Sequence, residues 1–328
     1  MRDVVRTSLQ SAVAGGLTWL AGSALGSPHV SWAIISALYV VSQSVGASLS
    51  SGISRIVGTL LGTAIGIMSV WTLGGADYAV LRVAVAALLT SALVTFRPDW
   101  RYGIVAATIV AVEPDGTVLG GAFDRVLAIL LGTAIGFAAT AVIWPESSSK
   151  RVSRSLCQAI ETCSKIVHRG VDAALGEKVE LNALHRRFLS QDGAARDAAS
   201  SVRRKSHREE LFDTIGALER LWHALIILDR VANEEHSFEL AENGELPDAL
   251  ARLRQSAADR LSALADRHHA SDGHASHLDD LLDEVDGLIA RSESESSGER
   301  ATGFAGLRFA LLELGRNIRE LERALDRD

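Results

Sequence analysis

Between Arg6 and Arg55 the chain carries no Asp, Glu, Lys or Arg. A run of that length has no charged face to offer water. About 20 apolar residues cross a bilayer core, so the run has room for two crossings. The same poverty of charge continues to residue 146. Residues 1–146 hold seven Lys/Arg and seven Asp/Glu; residues 147–328 hold 26 and 33, and so carry the whole formal charge of −7. This split predicts a transmembrane permease domain over 1–146 and a polar domain over 147–328. The acidic total excludes general nucleic-acid binding, which needs a basic face. MRDVVR is a weak leader, and apolar sequence runs on past any cleavage point. It reads as the flank of a retained first helix.

The heptapeptide LLGTAIG occurs at Leu60–Gly66 and again at Leu130–Gly136. The same offset of 70 lays Arg55 on Arg125, Gly46 on Gly116, Pro28 on Pro98, Trp32 on Tyr102 and Val40 on Val110. The first domain is therefore a duplication, with repeats of approximately 1–74 and 75–146.

Six spans are predicted near 7–26, 30–48, 56–73, 81–96, 102–113 and 126–144. The second is studded with serine and the fifth is short; the repeat makes both credible by placing them at equivalent positions. Arg2, Arg6, Arg55, Arg97, Arg101, Lys150, Arg151 and Arg154 fall on one side of this scheme, and Arg82 and Arg125 on the other. Basic residues mark the cytoplasmic side. Both termini, the loops 49–55 and 97–101 and the polar half are thus expected in the cytoplasm. Trp32, Trp71, Trp100 and Trp144 sit at predicted span ends, where interfacial aromatics belong. Three spans per repeat is an odd number. The second copy must then enter the membrane from the opposite side, which makes an inverted-topology repeat of the kind found in secondary transporters.

Gly58, Gly62 and Gly66 recur every four residues on the third span, and Gly132 and Gly136 do so on the sixth. Small residues at this spacing let helix backbones approach closely in lipid. Arg55 and Arg125 are expected at opposite mouths of equivalent helices. A guanidinium there suits a carboxylate through paired hydrogen bonds. Two other readings stay open: Arg55 as a cytoplasmic flank, and Arg125 as a headgroup-seeking side chain or the partner of Asp115 or Asp124. QSVG at 43–46 aligns with EPDG at 113–116. Matching polar breaks in two repeats point to a transport site, so Gln43 and Glu113 join the arginines as candidate pathway residues. Glu113 is the titrating candidate.

Residues 147–328 read as a helical bundle. Apolar stripes at helical spacing run through Leu218, Leu221, Trp222, Leu225 and Leu228, through Leu278, Leu281, Leu282, Val285, Leu288 and Ile289, and through Leu307, Leu311, Leu314, Ile318, Leu321 and Leu325. Further helices are expected near 150–175, 181–204 and 246–269, and SESESSGER at 292–300 reads as a loop. Cys157 and Cys163 lack metal spacing. His268, His269, His274 and His277 are irregularly spaced and read as an exposed turn. VRRKSHR at 202–208 is a solvated helix end or a contact for anionic lipid. There is no GxxxxGK[ST] loop, nucleophile elbow or HExxH. No enzyme, metal or cofactor is predicted.

PHVSWAIISALYVVSQSVGASLSSGISRIVGTLLGTAIG at 28–66 resembles the signature of the fusaric acid resistance, or aromatic acid exporter, superfamily. The matching features are Trp32-Ala33, the Gln43 region and Arg55-x-x-Gly58-Thr59-x-x-Gly62. FDRVLAILLGTAIGFAATAVIWP at 123–145 is a second half-match, with Ala128 where the first copy has Gly58. The resemblance implies a six-span unit with a cytoplasmic helical domain and proton-driven export of aromatic or other organic acids. Plant aluminium-activated malate transporters, dimeric anion channels with basic pore residues, look like distant relatives. This chain has one unit, which suggests a homodimer. The expectation is an all-α inner-membrane exporter of organic anions. Its alternatives are a passive anion channel and a non-transporting membrane scaffold whose bundle recruits a partner.

Overall fold

A computed structural model describes residues 2–42, 44–73, 78–112, 118–202, 204–233, 244–266 and 272–327. Regular structure among them is entirely helical. The chain divides into two compact units, Met1–Ser148 and Ser149–Asp328.

The first unit contains α1 (Arg2–Ala24), α2 (Val30–Val40), α3 (Val45–Leu73), α4 (Ala79–Phe96), a 3-10 turn at Pro98–Trp100, α5 (Tyr102–Val112) and α6 (Val118–Val142). Among the described residues, three stretches are long and apolar enough to cross a membrane: Val45–Leu73, Ala79–Phe96 and Gly120–Val142. α1 has 23 residues, but Thr7, Ser8, Gln10, Ser11 and Thr18 dilute it. α2 and α5 have 11 residues each. At a rise of 1.5 Å that is about 17 Å, roughly half the hydrocarbon thickness. The loop expected over 49–55 is helical. The break falls earlier, at 41–44, where Ser42 N–H donates to Ser48 Oγ (3.0 Å) and Ala47 N–H to Ser44 Oγ (3.2 Å). Ser44 thereby caps α3. The third span consequently starts eleven residues sooner than expected and carries Arg55 inside it.

The packing follows the repeat. α3 lies along α5, and α6 along α2; α1 packs on α2, and α4 on α5; α1 meets α6, and α4 meets α3. Exchanging α1, α2, α3 with α4, α5, α6 maps each of these pairs onto another. The α3–α6 pair maps onto itself. α2 also packs on α3, and this contact has no α5–α6 counterpart of similar extent among the described residues.

Glycine determines how closely these helices approach. A Cβ on Gly62 would overlap the carbonyl oxygen of Gly103, and one on Gly132 that of Ala33. One turn on, Gly66 faces Ala107 and Gly136 faces Ala37 in the same way. Each contact recurs at the offset of 70. Register gives direction: α5 runs parallel to α3, and α2 parallel to α6. α3 and α6 run antiparallel, since Ser48 meets Thr140 while Gly52 meets Thr133.

The second unit contains α7 (Ser148–Ala174), α8 (Asn182–Ser200), α9 (Lys205–Asn233), α10 (Glu245–Ala265), α11 (Asp272–Glu295) and α12 (Glu299–Leu325). The apolar stripes meet in one core that includes Leu218, Leu221, Leu225, Val285, Leu307, Leu311 and Leu314. The serine-rich loop is shorter than expected, because α11 runs on to Glu295 and α12 opens at Glu299. Phe188 and Trp222 stack at 5.1 Å, and Trp222 Nε1–H donates to His185 Nδ1 (3.0 Å). His268 and His269 lie outside the described residues.

Candidate functional site

α3 passes Arg55 through the interior of the first unit. Its side chain is 1% exposed. Nε–H donates to Ser36 Oγ of α2 (2.8 Å). The guanidinium carbon lies 4.2 Å from the Tyr102 ring centre and 5.2 Å from that of Tyr39. The two rings are themselves 4.2 Å apart, edge to face. Cation–π attraction and one hydrogen bond thus hold the group from α2 and α5 together. Nη1 is buried with no hydrogen-bond partner among the described residues, and no carboxylate among them lies within ion-pair distance of Arg55. A buried cation without a counter-charge is unfavourable by several kcal/mol.

Arg125 sits in α6, 7% exposed, with its guanidinium carbon 6.0 Å from the Trp32 ring centre. This is the repeat-related counterpart of Arg55 and Tyr102. In the antiparallel register of α3 and α6, the two arginines lie only about two turns apart along the helix axes. They therefore sit nearer each other in depth than two opposite mouths would. Arg82 of α4, 2% exposed, is a third buried guanidinium.

One end of the unit is lined with hydroxyls. Ser48 Oγ donates to Thr140 Oγ1 (3.2 Å), which donates to the Gly136 carbonyl (3.1 Å); Ser44 Oγ and Ser148 Oγ are 3.1 Å apart. Arg6 pairs with Glu146, and Gln10 Nε2 donates to the Ile143 carbonyl (2.6 Å). Toward the other end Val70, Val110 and Ala122 pack together.

Gln43 and Glu113, the other two candidates, lie outside the described residues, as does Asp115. Ser36, Tyr39 and Tyr102 escaped the sequence reading as site residues. One signal for them was present: the offset that pairs Arg55 with Arg125 also pairs Tyr102 with Trp32, so each arginine has an aromatic at a matched position.

Residues 17–139 match the family described as fusaric acid resistance protein-like. The resemblance carried by the two heptapeptides therefore holds. Among similar proteins is Inner membrane protein YccS of Escherichia coli (strain K12), 26% identical over 174 residues, or 49% of this chain. The match takes in 24% of that protein's length, so the chain spans about a quarter of this relative.

Proposed function

We propose that the first unit carries organic anions across the inner membrane and that Arg55 is their counter-ion during passage. The observation that carries this reading is the Arg55 guanidinium itself, buried between Tyr39 and Tyr102, with Nη1 unsatisfied and no carboxylate beside it among the described residues. An entering carboxylate supplies the missing charge and accepts the free N–H. Passage past a single site, rather than permanent neutralisation by a fixed Asp or Glu, lets the anion leave again.

The architecture belongs to the same reading. The two repeats sit inverted in the membrane, and α2 and α5 reach half depth. Antiparallel α3 and α6 support this, because helices equivalent by sequence then point opposite ways. Both termini and the polar unit lie in the cytoplasm, two copies assemble through the membrane part, and the proton gradient drives export.

The test is flux. Purified protein in liposomes should take up radiolabelled benzoate or malate saturably and above protein-free vesicles. Stimulation by a pH gradient separates coupled export from a passive channel. No uptake of either acid under any gradient would leave the scaffold reading in its place.

A further inference from the structure

Polar contacts in the first unit line up along the seam between α3 and α6. Ser48, Gly52 and Arg55 are spaced by four and three, so they share one face of α3, and all three are buried. Thr140 and Thr133 of α6 are seven apart and share a face in turn. Ser48 Oγ donates to Thr140 Oγ1, and a Cβ on Gly52 would come within 3.1 Å of Thr133 Cγ2. Thr133 Oγ1 is buried without a hydrogen-bond partner among the described residues, as Arg55 Nη1 is. Ser48 and Arg55 stand about 10 Å apart along the helix. Hydroxyls thus lead along the seam toward the buried guanidinium.

The Ser48 end of this seam is strapped. Residues 143–147 leave the helical path between α6 and α7. The Ile143 carbonyl accepts from Gln10 Nε2 (2.6 Å), Glu146 pairs with Arg6, the Glu146 carbonyl accepts from Val45 N–H (3.1 Å), and Ser148 Oγ lies 3.1 Å from Ser44 Oγ. The strap is therefore held by α1 on one side and by the start of α3 on the other. It is also strained. Trp144 has φ 54°, a left-handed conformation that bulky side chains adopt rarely, and the following Pro145 narrows its choices further. Such a conformation persists only where surrounding contacts hold it.

Resting on the anion-carrier reading above, we propose that the α3–α6 seam is the anion's route between Arg55 and this end of the unit, with Thr133, Thr140 and Ser48 as its polar steps, and that residues 143–148 are the gate that closes it. The seam is shut in this structure, with Ser48 bonded to Thr140 and Gly52 tight against Thr133. A hydroxyl donates to a carboxylate as it does to another hydroxyl, so a passing anion can take over these bonds in turn. Cutting the ties of the strap lets Trp144 relax. The stored strain then moves the strap away from α1 and α3 instead of leaving it in place.

Thiol labelling of the full-length protein in liposomes tests this, with N-ethylmaleimide as the probe and peptide mass spectrometry as the readout. Ser48→Cys and Thr133→Cys, each alone, should label slowly. Adding Glu146→Gln with Ser148→Ala should speed both by about tenfold, as for local opening after one or two lost hydrogen bonds. Thr90→Cys, at a buried position of α4, reports on the rest of the first unit, and the buried Cys163 on the second. Both should stay as slow as before. Unchanged rates at Ser48→Cys and Thr133→Cys would overturn the gate. Faster labelling at Ser48→Cys alone would overturn the route. An equal rise at Thr90→Cys would make the strap a tie that holds the fold, not a gate. Labelling needs no substrate, so the gate can fail while the carrier reading stands; that reading is decided separately by uptake with Arg55→Ala.

Discussion

The Arg55 guanidinium carbon lies 4.2 Å from the ring centre of Tyr102, and 70 residues away in each direction Arg125 lies 6.0 Å from that of Trp32. Each arginine belongs to one repeat and its aromatic to the other. The two repeats are thus tied across each other through the groups that would meet an anion.

The glycine notches should be intolerant of a methyl group. Gly62→Ala and Gly132→Ala each push a Cβ into a carbonyl oxygen of the facing helix, whereas Gly16 and Gly120 have open space around theirs. Overpacking of this kind costs about 1–3 kcal/mol, and more where backbone must move. Thermal unfolding in detergent should show both notch variants well below wild type, with Gly16→Ala and Gly120→Ala unchanged.

The Arg6–Glu146 pair joins the start of α1 to the segment after α6. Both side chains are largely buried, and Arg6 also pairs with Asp3 of its own helix (3.5 Å), so removing Glu146 takes away the more buried of two partners. Glu146→Gln should destabilise the first unit by about 1–3 kcal/mol, as for a lost charged hydrogen bond. The double change Arg6→Gln with Glu146→Gln should recover much of that loss. Equal and additive losses would show that the two groups do not act as a pair.

Cys163 is buried in the core of the second unit, and burial pushes its thiol well above the ordinary range. Cys157 is partly exposed. A thiol whose folded value is raised contributes stability that is fully present below the ordinary thiol range and is lost as pH rises from there through the raised folded value. At about pH 8, iodoacetamide should therefore modify Cys157 in the native protein and reach Cys163 only after denaturation. Mass spectrometry of the alkylated peptides gives the answer directly.

Acid should weaken the second unit through identifiable carboxylates. Hydrogen bonding from Arg308 holds Asp286 below the usual range, at 2.6 and 3.0 Å, and Arg220 does the same for Glu320. Lowered carboxylates contribute stability above the ordinary range and lose it as pH falls through their own values. Asp286→Asn should thus melt below wild type near neutral pH, and the gap should close as pH falls below the ordinary carboxylate range.

Much of this was legible in the sequence because it depends on spacing. The offset of 70 was enough to pair Gly62 with Gly132 and Arg55 with Arg125, and helical periodicity was enough to mark the stripe from Leu218 to Leu228. What escaped depends on contacts between distant segments. The polar break at 43–46 was visible, but not that α2 already stops at Val40. The stop comes from Ser42, Ser44 and Ser48 turning their groups toward one another and toward Thr140 and Ser148. The loop expected over 49–55 followed from treating Arg55 as a flank. Its guanidinium instead finds Ser36, Tyr39 and Tyr102, which make an interior position tolerable for a charge.

The most direct measurement is uptake of benzoate and malate by liposomes holding the wild-type protein, Arg55→Lys or Arg55→Ala, at sub-saturating substrate. Arg55→Ala should lose uptake by about ten- to hundredfold, as expected for one charged hydrogen bond of about 1–3 kcal/mol, while still folding as judged by thermal unfolding. Arg55→Lys should fall between the two, because lysine restores charge but not the planar group that the tyrosines grip. Wild-type uptake of both acids by a well-folded Arg55→Ala protein would contradict an anion site at Arg55.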